Sequence, residues 1–300
     1  MQGFNQSEIA RQLGRHRSTI SREIARNRCW ITDGAYRPSK AQRRTRARRR
    51  RSRRNEQYTD KDYEFVRLLL SHEWSPEQIT GYLRQQGMPA MSHETIYRYI
   101  WKDKQQGGDL WLHLRQSSKK RRKRYKAYDS RGRLADKKHI SERPMSVEGR
   151  RYFGHWEIDT VMGKYSKDCI VTLVERKTGF VMIGKLADKT TASLNADVIS
   201  LIGKDHQRFK TITADNGTEF HQYKEIEEKT NTKFYFATPH HSWERGSNEN
   251  MNGLIRQYLP KGKSMKGLTQ EMCDYIAERI NKRPRKRYEY KTPWELYHSV

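Results

Sequence analysis

Three hundred residues carry 62 Lys+Arg against 35 Asp+Glu, a formal charge of +27, and only 34% of them are hydrophobic. The length predicts two or three domains with cores of ordinary size, and the charge predicts a polyanionic partner. No apolar run approaches a membrane span, the start lacks a signal-peptide core, and Cys29, Cys169 and Cys273 are too scattered for a zinc knuckle or disulfide framework. A membrane chain and a disulfide-built secreted scaffold are thereby excluded, and a reducing cytoplasm is expected.

The first predicted unit, over 1–36, contains SEIARQLGRHRSTISREIARN, residues 7–27. Ser7 is placed as the cap of a helix whose apolar positions are Ile9, Ala10 and Leu13, and Gly14 stops it. Ser18 is placed as the cap of a second helix, with Ile20 and Ile24 inward and Thr19 and Arg22 outward. Two short amphipathic helices about a tight turn read as a helix-turn-helix whose second helix enters the major groove. Ser18, Thr19 and Arg22 are its candidate DNA contacts. Only six residues precede Ser7, so the unit reads as clipped at its start.

A basic arm is expected over 37–57: from Arg37 to Arg54 eleven of eighteen residues are Lys or Arg. Arg48, Arg49 and Arg50 are candidate phosphate contacts. Seven of eight residues from Lys119 to Lys126 are also basic, as are five of six from Lys282 to Arg287. One such run reads as a solvated tail; three in one chain read as nucleic-acid binding.

A second helix-turn-helix is expected over 58–115. In WSPEQITGYLRQQG, residues 74–87, Ser75 caps, Pro76 opens the helix and Gln78 completes a capping box, with Ile79 and Leu83 inward. SHETIYRYIWK, residues 92–102, starts at Ser92 and places Ile96, Tyr97 and Ile100 on one buried side. A basic linker over 116–148 follows, ordered only on DNA.

From Gly149 the composition changes. HWEIDTVMG, DCIVTLVERKTG and FVMIGKLAD read as three consecutive strands, and TTASLNADVISLIGK as a helix buried through Leu194, Val198, Leu201 and Ile202. A strand ending at Asp215, a helix around Tyr223–Lys229, the strand TKFYFATP and the helix SNENMNGLIRQYL complete an α/β core over 149–265. Its sheet is mixed and five-stranded. A helix, TQEMCDYIAERIN, and a basic tail fill 266–300.

Three carboxylates in this core raise a question of chemistry. Period-two geometry puts His155, Glu157 and Asp159 on one strand face. Asp215 follows a strand and precedes the turn Asn216-Gly217. Glu249 sits in the first turn of a helix, where the dipole favours an ionised carboxylate, and Arg256 returns to the same face seven residues on. Each acid alone fits a surface charge or a turn. Together they suit phosphodiester chemistry, because two Mg2+ ions about 3.5–4 Å apart can activate the attacking oxygen and stabilise the leaving one. Mg2+ takes hard oxygen ligands and keeps several waters, so three carboxylates and substrate phosphates suffice.

GHWEIDTV, TADNGTEF and WERGSNENMNGLIRQYLPKG resemble the three active-site segments of DDE transposases of the insertion-sequence-thirty type. The 33 residues between Asp215 and Glu249 and the seven-residue step to Arg256 match that family's pattern. The resemblance covers essentially the whole chain, including both helix-turn-helix units and the NKRPRK…TPWELY ending. It implies an RNase H-like, retroviral-integrase fold with the first and fourth strands adjacent. Asp159, Asp215 and Glu249 are then the catalytic metal ligands for two Mg2+ ions, with Mn2+ as substitute. Arg245 and Arg256 are expected on DNA, and Asn216, Asn250 and Asn252, with Glu219, in supporting roles. Glu157 is expected in structural or DNA-positioning work, and His155, His240 and His241 on DNA rather than metal.

The implied protein is a transposase of a bacterial insertion sequence that binds terminal inverted repeats, cuts the 3′ end and joins it to target DNA. It is expected to work as at least a dimer on DNA, in the cytoplasm with the nucleoid. A DNA-binding regulator without catalysis and an RNase H-like structure-selective nuclease are the alternatives.

Overall fold

The computed structural model describes residues 3–29, 33–51, 58–115, 137–165, 167–239 and 241–299, without the side chains of Arg50, Arg51 and Ser242. The expected linker lies outside the described residues from 116 to 136, as does His240. Contacts divide the chain into two units, Met1–Tyr63 and Glu64–Val300.

The first unit contains α1 (Gln6–Gln12), α2 (Arg17–Asn27) and α3 (Pro38–Arg51). Both expected caps move toward the N-terminus. Asn5, not Ser7, caps α1 by accepting the N–H groups of Ser7 and Glu8, and Glu8 closes a capping box. His16, not Ser18, caps α2, its Nδ1 accepting the Ser18 N–H at 3.3 Å. A cap needs extended backbone, and His16 has ψ 140°. Gly14 follows α1 at φ +61°, and Leu13, expected inside, is 62% exposed.

The basic run is a helix over most of its length rather than an unpacked arm. Ala41 is buried. Arg44 donates to the carbonyls of Asn27 and Arg28, and Arg48 to the Asn27 side chain at 2.6 Å. Cations at the C-terminal end of α2 answer its unpaired carbonyls and its dipole, which gives the charge-dense helix a place to pack.

A helix absent from the sequence expectation, α4 (Asp60–Ser71), precedes α5 (Pro76–Gln85) and α6 (His93–Gln105). Val66, Leu69 and Leu70 of α4 are buried at helical spacing. Ser75 and Gln78 form the expected capping box, and Ser92 caps α6. Ile96 and Ile100 are buried, whereas Tyr97, expected beside them, is 39% exposed.

The α/β core holds β1 (His155–Met162), β2 (Cys169–Glu175), β3 (Val181–Leu186), β4 (Thr211–Ala214) and β5 (Lys233–Phe236) in the order β3-β2-β1-β4-β5. The first three strands form an antiparallel meander, while β4 and β5 run parallel to β1. Four helices complete it: α7 (Thr191–Gly203), α8 (Tyr223–Thr230), α9 (Gly246–Tyr258) and α10 (Gln270–Asn281). Alternation along β1 splits the core in two. Trp156 and Ile158 join a cluster with Leu194, Val198 and Ile226 of α7 and α8; Val161 joins one with Met251, Ile255, Ile276 and Ile280 of α9 and α10.

The helices α4–α6 dock on the end of the chain. Gln78 Nε2 donates to Pro284 O at 2.7 Å, Arg279 to Ser71 O at 2.6 Å, and Gly81 lies against the Tyr290 ring. The expected basic tail is therefore built in: Arg283 is 2% exposed and donates to Gln257 Oε1 and the Tyr258 hydroxyl. α11 (Pro293–His298) returns Tyr297 to the cluster around Trp156.

Candidate active site

β1 and β4 are adjacent and parallel, with Glu157 opposite Thr213. Continuing that register two residues brings Asp159 level with Asp215, just beyond the end of β4. One guanidinium spans them. Arg245 Nη2 lies 3.2 Å from Asp215 Oδ2 and Nη1 lies 3.4 Å from Asp159 Oδ1. Arg245 also donates to Ile158 O at 3.1 Å. The turn after β4 holds the second acid, because the Gly217 N–H donates to Asp215 Oδ1 at 2.8 Å.

Asp159 receives a further bond from Asn252 Nδ2 at 2.6 Å. Burial raises its pKa, Arg245 and Asn252 oppose that rise, and the charge of Asp215 adds to it. The pair thus concentrates negative charge in a half-buried place, partly compensated by one Arg.

α9 carries the third expected acid. Glu249 is exposed in the first turn of α9, three residues before Asn252 and so on the same side of the helix. The structure brings Asp159 and Asp215 together, and Glu249 makes no hydrogen bond or ion pair among the described residues. Accordingly, no group of three or more His, Cys, Asp or Glu positioned to hold a metal occurs among the described residues.

The start of α9 is tied to β1 by Glu157. Its side chain is fully buried; Oε1 pairs with Arg176 Nη1 at 2.5 Å, and Oε2 accepts the Asn248 N–H at 3.0 Å. Both oxygens are committed inside the fold, so Glu157 fixes where α9 begins. The strand alternation showed its face. Its partners, from the β2–β3 turn and from α9, had no signal in the sequence.

The remaining expected residues scatter in role. Asn216 Nδ2 donates to Ala237 O at 2.7 Å, and Asn250 Oδ1 accepts from Arg115 at 3.2 Å. Arg256 reaches the carbonyls of Leu259 and Met162, both at 3.3 Å. Glu219 is buried on the strand face opposite Asp159, where it accepts from Thr160 and pairs with the exposed Lys189. His155 bonds Thr211 Oγ1, and burial with the nearby Lys210, Arg143 and Arg176 pushes its pKa down to about 4. In the first unit Arg22 bonds Ser18 through both its backbone and hydroxyl oxygens, Thr19 and Arg49 are exposed, and Arg48 is engaged at the end of α2. Arg50 has no described side chain.

The donor set suits a hard divalent cation. Two carboxylates that meet at one guanidinium offer closely placed oxygens, and Mg2+ is commonly held by one or two carboxylates plus waters and phosphate. His and Cys ligands, which softer metals favour, are absent from the pair.

The helix-turn-helix domain family matches residues 1–27. The chain is 42% identical to the transposase for insertion sequence element IS4351 of Bacteroides fragilis, over 99% of this chain and 91% of that one. It is 36% identical to the transposase for IS1086 of Cupriavidus metallidurans, over 97% and 88% of the two chains. It is likewise 36% identical to transposase InsI of IS30A from Escherichia coli, over 96% and 77%. Among solved structures, the catalytic core domain of BIV integrase aligns with 49% of this chain and 95% of its own, at a TM-score of 0.40 and 18% identity.

Proposed function

Because this chain belongs to the insertion-sequence-thirty family of transposases, we propose that it binds the terminal inverted repeats of a bacterial insertion sequence, cuts the 3′ ends and joins them to target DNA. The single observation that carries this is the pairing of Asp159, within β1, with Asp215, just beyond the adjacent β4, under one shared Arg245. A regulator that only binds DNA has no use for two half-buried acids held this way.

Two reactions at one site follow. Water attacks the phosphodiester at the element end, breaking the bond to the 3′ oxygen and leaving a 3′-hydroxyl. That hydroxyl then attacks a phosphodiester of target DNA; a new bond forms, the target strand's 3′ oxygen leaves, and its proton balance closes with solvent. Asp159, Asp215 and Glu249 would hold the Mg2+ ions, with Mn2+ as substitute, that supply an activated oxygen nucleophile and stabilise the leaving oxygen. The chain's own contribution is placement. Asn252 orients Asp159, the Gly217 N–H orients Asp215, and Glu157 fixes the start of the helix that carries Glu249. Arg245 neutralises the paired acids before cation or phosphate arrives and can then turn to the phosphate, as Arg favours bidentate oxygen partners.

Recognition is assigned to Ser18, Thr19 and Arg22 of α2, with phosphate contacts from Arg48, Arg49, Arg50 and Arg256. Joining two ends requires at least two protomers, so the working form is a dimer or larger on nucleoid DNA. No helix among the described residues is long and apolar enough to cross a membrane.

The test uses supercoiled plasmid carrying the flanking terminal repeats, in Mg2+ or Mn2+, beside Asp215→Asn. Metal-dependent nicking and joining by the parent alone is expected. Binding without cleavage would favour the regulator, and cutting without joining the structure-selective nuclease.

A further inference from the structure

Near the acid pair lies a pocket of about 690 Å3 that the proposed chemistry leaves unused; its walls include Arg143, Arg150, Arg176 and Trp243. It abuts the site on two sides. Trp243 lies two residues before Arg245. Arg176 pairs with Glu157, and Arg143 donates to Thr213 Oγ1 at 2.8 Å. Glu157 and Thr213 face each other across β1 and β4, each two residues before an acid. That wall is therefore about 7 Å along the strands from the carboxylates.

Three features select an occupant. Trp243 is 69% exposed and His241 stacks on it at 4.3 Å between ring centroids, which makes a flat aromatic platform open to solvent. The side chain of Arg150, at φ +50°, has no hydrogen-bond or ion-pair partner among the described residues, while its N–H donates to Val147 O at 3.3 Å. Arg176 is 3% exposed, yet its Nε finds no acceptor among them. The pocket's acids do not answer these cations fully. Glu148 is shared between Arg143 and Arg176, and Glu244 is taken up by Thr238 and His241.

An aromatic platform beside anion-seeking cations fits a nucleotide: a base stacks and a phosphate is neutralised. Paired bases hide their faces in the duplex, so the occupant must be unpaired. We propose that this pocket holds one unpaired nucleotide of the DNA strand next to the phosphate at Asp159 and Asp215, its base on the face of Trp243 that His241 leaves open and its phosphate on Arg150 and Arg176. The position of that phosphate rests on the strand-transfer reading; the binding itself does not.

The experiment uses the full chain with a chelator present and two short duplexes of one sequence. One duplex is fully paired; the other ends in an overhang containing 2-aminopurine, whose fluorescence falls when it stacks. The parent should quench the overhang probe and bind it roughly tenfold more tightly than the paired duplex, the scale of one base–aromatic stack. Trp243→Ala should lose both the quench and the preference while binding the paired duplex within about twofold of the parent, and Trp243→Phe should keep the quench. Arg150→Ala should lose the preference most clearly at low salt. Undiminished quenching by Trp243→Ala, or equal binding of both probes by the parent, overturns the pocket. A parent that quenches yet never nicks plasmid leaves the pocket standing and removes the strand-transfer reading. One that nicks while Trp243→Ala still quenches does the reverse.

Discussion

Glu157 shows how a single buried side chain can govern a site it does not enter. It has no exposed surface, and its two oxygens divide between Arg176 and the first turn of α9. Glu157→Gln leaves the buried Arg176 with only the exposed, shared carboxylate of Glu148 as a counter-charge, so a loss of about 3 kcal/mol in urea unfolding is expected. Asp215→Asn, at the solvent-facing end of a strand, should cost far less. His155 supplies a pH effect. Above about 6.5 it is neutral both folded and unfolded and contributes nothing. Below that value the unfolded chain takes up a proton that the folded chain resists until about 4. Stability should therefore fall as pH drops across this window and the contribution should level off below it. Melting curves of His155→Gln should show a shallower decline over the same range. Of the site residues, Asp159 and Asp215 were legible in the sequence because each interrupts or ends a strand that had no local need of an acid. Arg176 was not, because its partner lies nineteen positions earlier in the chain.

Among elements, local signals succeeded wherever they were self-contained. Ser75 with Gln78 makes a capping box from four consecutive residues, and Leu194, Val198, Leu201 and Ile202 mark one buried helix face. Failure came where alternatives stood side by side: Asn5, Ser7, His16 and Ser18 can all cap, and the entering backbone chose Asn5 and His16. The missed α4 was legible in Val66, Leu69 and Leu70, whose spacing is helical. The docking of α5 was not. Gly81 packs so closely on Tyr290 that an added Cβ would overlap the ring. Gly81→Ala should accordingly destabilise this docking by roughly 1–3 kcal/mol, visible as faster hydrogen exchange in α5. Tyr290→Ala in the same chain should recover most of that loss relative to Gly81→Ala alone, since it removes the clash.

For the molecule as a whole, charge is the dominant sequence property. A surplus of 27 positive charges makes DNA association a counterion-release process. Affinity for any duplex should fall roughly a thousandfold or more between about 50 and 200 mM salt if six or more phosphates are neutralised. A plot of log affinity against log salt gives that number directly, and a flat line would place most of the cations in structural work. Some already are: Arg44 and Arg48 close the end of α2, Arg176 and Arg283 are buried, and Arg245 spans two acids.

The sequence by itself determined the α/β core with its strands and helices in order, the N-terminal helix-turn-helix, and the placing of Asp159 within one strand and Asp215 just after another. These depend on periodicity, turn chemistry and residue type, all of which act over a few neighbouring positions. Only the tertiary structure decided that Arg245 would bridge the two strand acids, that Glu157 would anchor α9, and that basic runs would serve as helix α3 and as a C-terminal segment anchored by the buried Arg283. Those outcomes are charge pairings between distant positions, and a charge in sequence carries no mark of the partner that folding brings to it.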